Sequence, residues 1–427
     1  MRSVFGKISL AALLLVDRAG LSAPAATDPF SLRPSDTVVF YGDSITDQRL
    51  YTMVTELYTV TRYPQLSIKF VHSGWGGDRV TGGGGGLIDL RLQRDVLSYH
   101  PTVMTIMLGM NDGKYTNHKS EDDEIYYAGY RHIVETVRQA APSVRITAIE
   151  PSPFDDVTRP ITLQPDGYNA VLQKFSSWIT HYAGEAHLDV ADLNTPMVEM
   201  LKKANAEDAA TAQKILPDRV HPALAGHMVM AEQLLKAWHA RAIVSSVSID
   251  AAAGKVGETA FAKVTNFKTA PLSWTETEDA LPLPFAAWLA DDKDHSIALA
   301  IKSSDLTEAL NQEPLRVTGL AGGQYKLSID GTPVGNFSEK ELAAGVNLAL
   351  LDTPMARQAV EVRDLTIRRI DVHQQRWRSL QVPLEKYNLE GFERSLKDMD
   401  ALDAELAARQ HTAAQPRAHS FELVLAQ

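Results

Sequence analysis

The chain contains no cysteine. Disulfides, thiolate zinc sites and a cysteine nucleophile are therefore excluded. The compartment stays open, because a chain of 427 residues is large enough to fold without staples. Positive charge is also in deficit: 42 Lys and Arg face 53 Asp and Glu, for a net charge of −11. A nucleic-acid partner calls for a basic face, so that class is set aside, and tight binding to an anionic membrane is disfavoured. Long apolar runs are missing too. The run Ile8–Val16 is too short to span a bilayer, so no integral membrane segment is expected.

That run does have a use. Arg2 and Lys7 make a basic start before it, and Ala23-Pro24-Ala25 offers small residues at a cleavage site. Residues 1–25 are expected to be a secretory signal peptide, which makes the protein secreted or periplasmic. The charges of Asp17-Arg18 sit unusually close to the apolar run.

From residue 36 to about 241 strand-like and helix-like segments alternate. Strands are expected at 37–41, 67–72, 102–108, 145–150 and 187–192, and helices at 50–61, 87–98, 124–141, 167–182 and 223–240. Continuous apolar strands between amphipathic helices specify a parallel sheet covered on both faces. In such sheets ligands sit beyond the carboxyl ends of the strands. The style changes after about 244. Segments 261–264, 315–320, 325–329 and 335–337 alternate as half-buried strands, with Asp330-Gly331 as a turn between two of them. Helices are expected at 355–379 and 389–409, and a last strand at 421–425. The expected organisation is a domain over 36–244 and a mixed α+β accessory region over 245–427, with a small β-rich unit around 312–350.

Four short blocks carry chemistry. In Val38-Val-Phe-Tyr-Gly-Asp-Ser44 an apolar strand runs into a small polar residue at the sheet edge. Ser44 is then a candidate nucleophile before an expected helix, whose N-terminal amides would face an oxyanion. Alone, the same block reads more readily as a helix cap than as a nucleophile. In Asp218-Arg-Val-His221-Pro222 the three-residue spacing lets the carboxylate reach imidazole Nδ1, fixing the tautomer and freeing Nε2 as a base. Gly109-Met-Asn111-Asp112 follows the most apolar strand, where the Asn111 amide could donate to an oxyanion without a change of charge. His72-Ser-Gly-Trp-Gly-Gly77-Asp78 follows the second strand, and glycine there lets a backbone N–H approach a reacting carbonyl. The five glycines 82–86 read as a mobile rim rather than a phosphate cradle, since the P-loop lysine is missing.

Taken together and in this order, the four blocks resemble the GDSL, or SGNH, hydrolase superfamily over roughly residues 36–241. The resemblance implies a three-layer α/β/α sandwich with a parallel sheet, and ester hydrolysis with no metal and no cofactor. It also implies a role for each residue: Ser44 as nucleophile, His221 as general base, Asp218 as its partner. The oxyanion donors would be the N–H groups of Ser44 and Gly77 and the side chain of Asn111, with Gly74 and Gly76 competing for the place of Gly77. The first block has Ile45 where the family name has leucine, and His72 stands where asparagine is frequent. Asp43, Asp47 and Arg79 are expected to brace the loops. Trp75 is weighed evenly between pocket lining and packing, and Trp377 and Tyr387 are read as core or interface.

The function expected from these residues is a carboxylic-ester hydrolase acting on a small-molecule or carbohydrate ester, with a short acyl group such as acetyl. The alternatives are a lysophospholipase or thioesterase, an O-acyltransferase, or a glycan-binding envelope protein on the same scaffold.

Overall fold

The structure, a computed structural model, describes residues 29–426. The expected signal peptide therefore lies outside the described residues.

Five strands build the first sheet: β1 (Thr37–Gly42), β2 (Lys69–Gly74), β3 (Val103–Met107), β4 (Arg145–Ile149) and β5 (Asp189–Ala191). All neighbours run parallel in the order β2-β1-β3-β4-β5. The register puts His72, Phe40, Thr105 and Thr147 on one face. That face meets α1 (Leu50–Arg62): the His72 ring bridges Thr52 at 2.8 Å and Glu56 at 3.0 Å. It also meets the end of the last helix of this half (Leu224–Ala237), where the Trp238 indole N–H donates to Thr147. The other face carries α2 (Ile88–Asp95), α3 (Ser120–Ala140) and α4 (Tyr168–Ala186), as right-handed crossovers require. Tyr126 stacks on Phe175 with centroids 4.0 Å apart, tying α3 to α4. This is the α/β three-layer arrangement expected from the sequence.

The start of α3 and one added helix depart from expectation. Helix α3 begins a turn early because the Asp122 carboxylate accepts the Lys119 N–H at 2.9 Å. The acidic side chains Glu121, Asp122 and Asp123 also suit the positive end of the helix. A helix over Thr195–Glu207, opened by a proline in its first turn, was not expected.

The second half holds two further sheets. One is antiparallel and five-stranded: in spatial order Ala262–Thr269, Leu272–Glu278, Ala418–Leu425, Gln324–Ile329 and Thr332–Ser338. The other joins Val346–Asn347, Pro314–Thr318, Ser246–Asp250 and Lys255–Ala260. The β structure thus reaches well beyond the expected unit around 312–350. Strands such as Lys255–Ala260 are largely exposed and lack clean alternation, so hydropathy does not mark them. The Asp330-Gly331 turn is present, with φ of 51° and 75°.

Helix α5 (Pro354–Gln374) and helix α6 (Phe392–Ala413) form a pair, and α5 lies against α1. Arg369 of α5 reaches Glu56 of α1 at 3.1 Å, and His373 donates from Nε2 to the His72 carbonyl at 3.2 Å. Burial raises the Glu56 carboxyl, but the His72 ring and then the Arg369 guanidinium outweigh it and hold the group below its ordinary value.

Candidate active site

Strand β1 delivers Ser44 to the carboxyl edge of the sheet. Gly42 is needed there for space: a Cβ would stand 2.2 Å from Thr46 Oγ1 and 2.6 Å from the Met107 carbonyl oxygen. The long helix begins at Leu50, where it is expected, and not at Ser44. A single turn, Ser44–Asp47, comes first, and Arg49 at φ 60° breaks the chain before α1 starts. Any backbone help to an oxyanion therefore comes from individual amides. The fully buried Asp43 caps the turn by accepting the Ile45 N–H at 3.0 Å. Burial pushes its carboxyl up to about 7.

The loop before the Leu224–Ala237 helix brings the other two residues in. Asp218 Oδ1 accepts the N–H groups of Val220 at 3.0 Å and His221 at 2.7 Å, closing a turn that fixes the ring. Asp218 Oδ2 lies 2.7 Å from His221 Nδ1, and His221 Nε2 lies 2.8 Å from Ser44 Oγ. A carboxylate only accepts, so Nδ1 carries the proton and Nε2 faces the serine hydroxyl as an acceptor. Burial raises the Asp218 carboxyl, but the His221 backbone N–H and ring outweigh it, and the group sits below its ordinary value. The three residues that the sequence singled out thus meet, although Ser44 and His221 are far apart in the chain.

The other two candidates lie on neighbouring loops. Gly77 has φ 76°, a conformation that favours glycine, and its N–H has no partner among the described residues. The Gly76 N–H is already taken by Asp47 Oδ2 at 3.2 Å, and the Trp75 N–H by the Gly42 carbonyl at 3.0 Å. Gly74 belongs to β2. Among the competing glycines, Gly77 has the free donor. Asn111 spends one amide hydrogen on the Asp78 carbonyl at 3.1 Å, which holds the side chain and leaves a second N–H. Asp112 accepts the Val80 N–H at 2.9 Å, and burial pushes its carboxyl up to about 7.

Several supporting residues were legible only as types. His227 accepts the Tyr51 N–H on Nδ1 at 3.2 Å and faces Gln48 Oε1 with Nε2 at 3.0 Å. Burial drives its pKa down to about 3, so it is a neutral brace for the start of α1. Arg159 was missed. It donates to the carbonyls of Gln213, Leu216 and Pro217 and pairs with Asp155, pinning the loop that carries Asp218. No local motif marks it. The glycines 82–86 are not a loose rim: they form a hairpin, Gly82–Gly83 with Gly86–Leu87, and Arg94 donates to the Gly85 carbonyl. Trp377 is fully buried, whereas Tyr387 is 59 % exposed and lies outside the core.

The cleft above Ser44 is open, with a volume of about 710 Å³. Its walls include Asp47, Gln48, Arg49, Asp218 and Gln374. A second groove of about 800 Å³ lies between α1 and the C-terminal helix pair and contains none of these groups. No cluster of His, Asp and Glu able to hold a metal occurs among the described residues.

The family model for the GDSL-like lipase/acylhydrolase family matches residues 40–229, the stretch that carries all five of these residues. That stretch is a domain of the GDSL/SGNH hydrolase superfamily. It is a serine esterase by class. An acetylxylan esterase from Geobacillus stearothermophilus is 28% identical over 180 residues, which is 41% of this chain and 74% of that protein. A solved structure described as a gut microbial diltiazem-metabolizing enzyme is 26% identical, with a TM-score of 0.78, over 92% of this chain and 98% of that one. That likeness extends through the second half, so the accessory sheets and helices of this GDSL/SGNH esterase have a counterpart elsewhere.

Proposed function

We propose that this esterase hydrolyses short-chain acyl esters, acetyl esters of carbohydrates being the leading substrates, through Ser44, His221 and Asp218. The observation that carries the reading is the 2.8 Å contact from His221 Nε2 to Ser44 Oγ, with Asp218 at 2.7 Å behind Nδ1. His221 takes the hydroxyl proton as Ser44 Oγ adds to the ester carbonyl. The oxyanion is met by the N–H groups of Ser44 and Gly77 and the Asn111 amide. His221 then gives the proton to the departing alcohol, leaving an acyl-serine. Water repeats the sequence, releases the acid and restores Ser44.

The short acyl group is favoured by the cleft. It is wide and open to solvent rather than a closed slot. A long chain would need a deep apolar slot to recover its desolvation, about 0.8 kcal/mol per buried CH₂. The relative that acts on acetylxylan points the same way. The basic start, the apolar run and Ala23-Pro24-Ala25 support a place outside the cytoplasm.

The deciding experiment is hydrolysis of p-nitrophenyl acetate, butyrate and octanoate by the wild type beside Ser44→Ala. Acetate is expected to be fastest and the variant inactive. Preference for octanoate would turn the reading toward a lipase-like enzyme, and activity in Ser44→Ala would remove the mechanism.

A further inference from the structure

Asp47 closes the turn that Ser44 opens, and three groups converge on its carboxylate. The Gly76 N–H donates at 3.2 Å, Arg49 Nη1 lies at 3.7 Å, and Arg378 Nη1 lies at 3.5 Å. Arg378 comes from the second half of the chain. Its guanidinium carbon also stands 3.4 Å from the centroid of the Trp75 ring. Trp75 directly precedes Gly76 and Gly77. One side chain therefore grips this loop twice, by stacking on Trp75 and, through Asp47, by its hold on the Gly76 amide.

The ends of the loop are held by backbone bonds, the Trp75 N–H on the Gly42 carbonyl and the Asp78 N–H on the Trp75 carbonyl, but the Gly77 N–H between them has no partner among the described residues. Gly76 and Gly77 have no side chains to pack, and a Cβ on Gly77 would find nothing within 4 Å. The backbone that carries Arg378 is well anchored, while Nη1 makes the ion pair with Asp47 without a hydrogen bond. Arg378 lies in a π-helical segment, Gln375–Gln381, that follows α5. Such widened turns recur at functional sites. The residue before it, Trp377, is fully buried, donates its indole N–H to Asp95 at 2.6 Å and meets Trp75 edge-on at 5.6 Å. One turn earlier Gln374 lines the cleft together with Ser44 and His221. A partly exposed ion pair and a cation–π contact each contribute little to global stability. Their effect here is geometric.

We propose that Arg378 is a positioning residue for the oxyanion site. It holds Trp75-Gly76-Gly77 through Trp75 and Asp47, so that the Gly77 N–H is aimed before the substrate arrives. This rests on the reading of Ser44 and Gly77 given above. It gives the accessory half a part in the chemistry, as the scaffold for one side of the active site.

The test compares wild type, Ser44→Ala, Arg378→Ala and Arg378→Lys on p-nitrophenyl acetate, with a fluorophosphonate titration to count competent serines and a boronic acid to probe the tetrahedral state. In Arg378→Ala, kcat per titrated site is expected to fall on the order of 10- to 100-fold, since a misplacement of about 1 Å can cost that much. KM should stay nearly constant, and boronate affinity should fall in step with kcat/KM. Lysine keeps the charge facing Asp47 but not the planar group over Trp75, so it should rescue part of the loss. Wild-type kcat and boronate affinity in Arg378→Ala would overturn the proposal. So would a loss that tracks only the number of titrated sites. If Arg378→Ala does not fold, Arg378→Lys decides alone, and an unchanged kcat there sinks the idea. An inactive wild type or an active Ser44→Ala removes the underlying reading of the site, an outcome distinct from failure of Arg378 alone.

Discussion

The Trp377 indole N–H donates to Asp95 Oδ1 at 2.6 Å, joining the C-terminal half to the end of α2. Asp95 is completely buried and also accepts from Arg91 and Arg94. The guanidinium of Arg91 lies among the rings of Tyr41, Trp75 and Trp377. This charged, aromatic contact ties the two halves together directly behind the Trp75 loop. Trp377→Phe keeps a ring but removes the donor. Unfolding free energy is expected to fall by about 1.5–3 kcal/mol, the usual worth of a hydrogen bond to a charged group. A urea midpoint indistinguishable from wild type would show that the two arginines satisfy Asp95 unaided.

Asp218→Asn tests how much of the base depends on its partner. At a buried triad the same exchange costs about 10⁴-fold in turnover, because the imidazole adopts the wrong tautomer. Asp218 is 56 % exposed, so water shares its electrostatic work. A smaller loss is expected, on the order of 100-fold in kcat. Its carboxyl is held below the ordinary value, so the ring's partner stays charged above the ordinary carboxylate range and is lost only as pH falls through that depressed value. Turnover within a few-fold of wild type would show that the two backbone bonds at Oδ1 suffice to aim His221.

The site was more legible in the sequence than the structure around it, and the reason is range. The Asp218–His221 contact spans three residues, so spacing alone suggests it. Strand β1 ending at Ser44 is written in consecutive apolar residues. Gly77 comes from the resemblance with Gly74 and Gly76 in competition, and only in three dimensions does Asp47 take the Gly76 amide. Arg159, Arg378 and Trp377 act across long stretches of chain and have no local signature. The strand Ala418–Leu425 shows the same division. Its alternation marks it as a strand, yet nothing local says that it inserts between Leu272–Glu278 and Gln324–Ile329.

Two buried carboxyls make stability depend on pH. Asp43 and Asp112 are each pushed up to about 7 by burial, and Asp112 Oδ2 has no partner among the described residues. The native state keeps protons that the unfolded chain releases near pH ~4. Between about pH 4 and pH 7 these two groups bind fewer protons in the unfolded state, so their share of the unfolding free energy falls as pH rises and levels off above, against the opposite slope of the buried His227 and His373. Asp112→Asn should flatten this fall, since the asparagine oxygen can still accept the Val80 N–H. Thermal melts across this range check it. Equal slopes in variant and wild type would assign the pH dependence to other groups.

Arg159 offers a test of the loop that carries the base. Its guanidinium meets the carbonyls of Gln213 at 2.8 Å, Leu216 at 2.8 Å and Pro217 at 3.0 Å, and pairs with Asp155. Asp155 in turn donates its N–H to the Arg219 carbonyl at 2.9 Å, and Arg219 holds φ 73°. The strained residue between Asp218 and His221 is thus fastened from a neighbouring loop. Arg159→Met keeps the stem and removes every donor. Turnover should drop on the order of 10- to 100-fold through misplacement of His221, with KM changed far less. Arg159→Lys should recover little, because one ammonium on a flexible stem cannot serve three carbonyls in the fixed plane a guanidinium provides. Full recovery by lysine would mean that charge against Asp155, rather than the fork of donors, holds the loop.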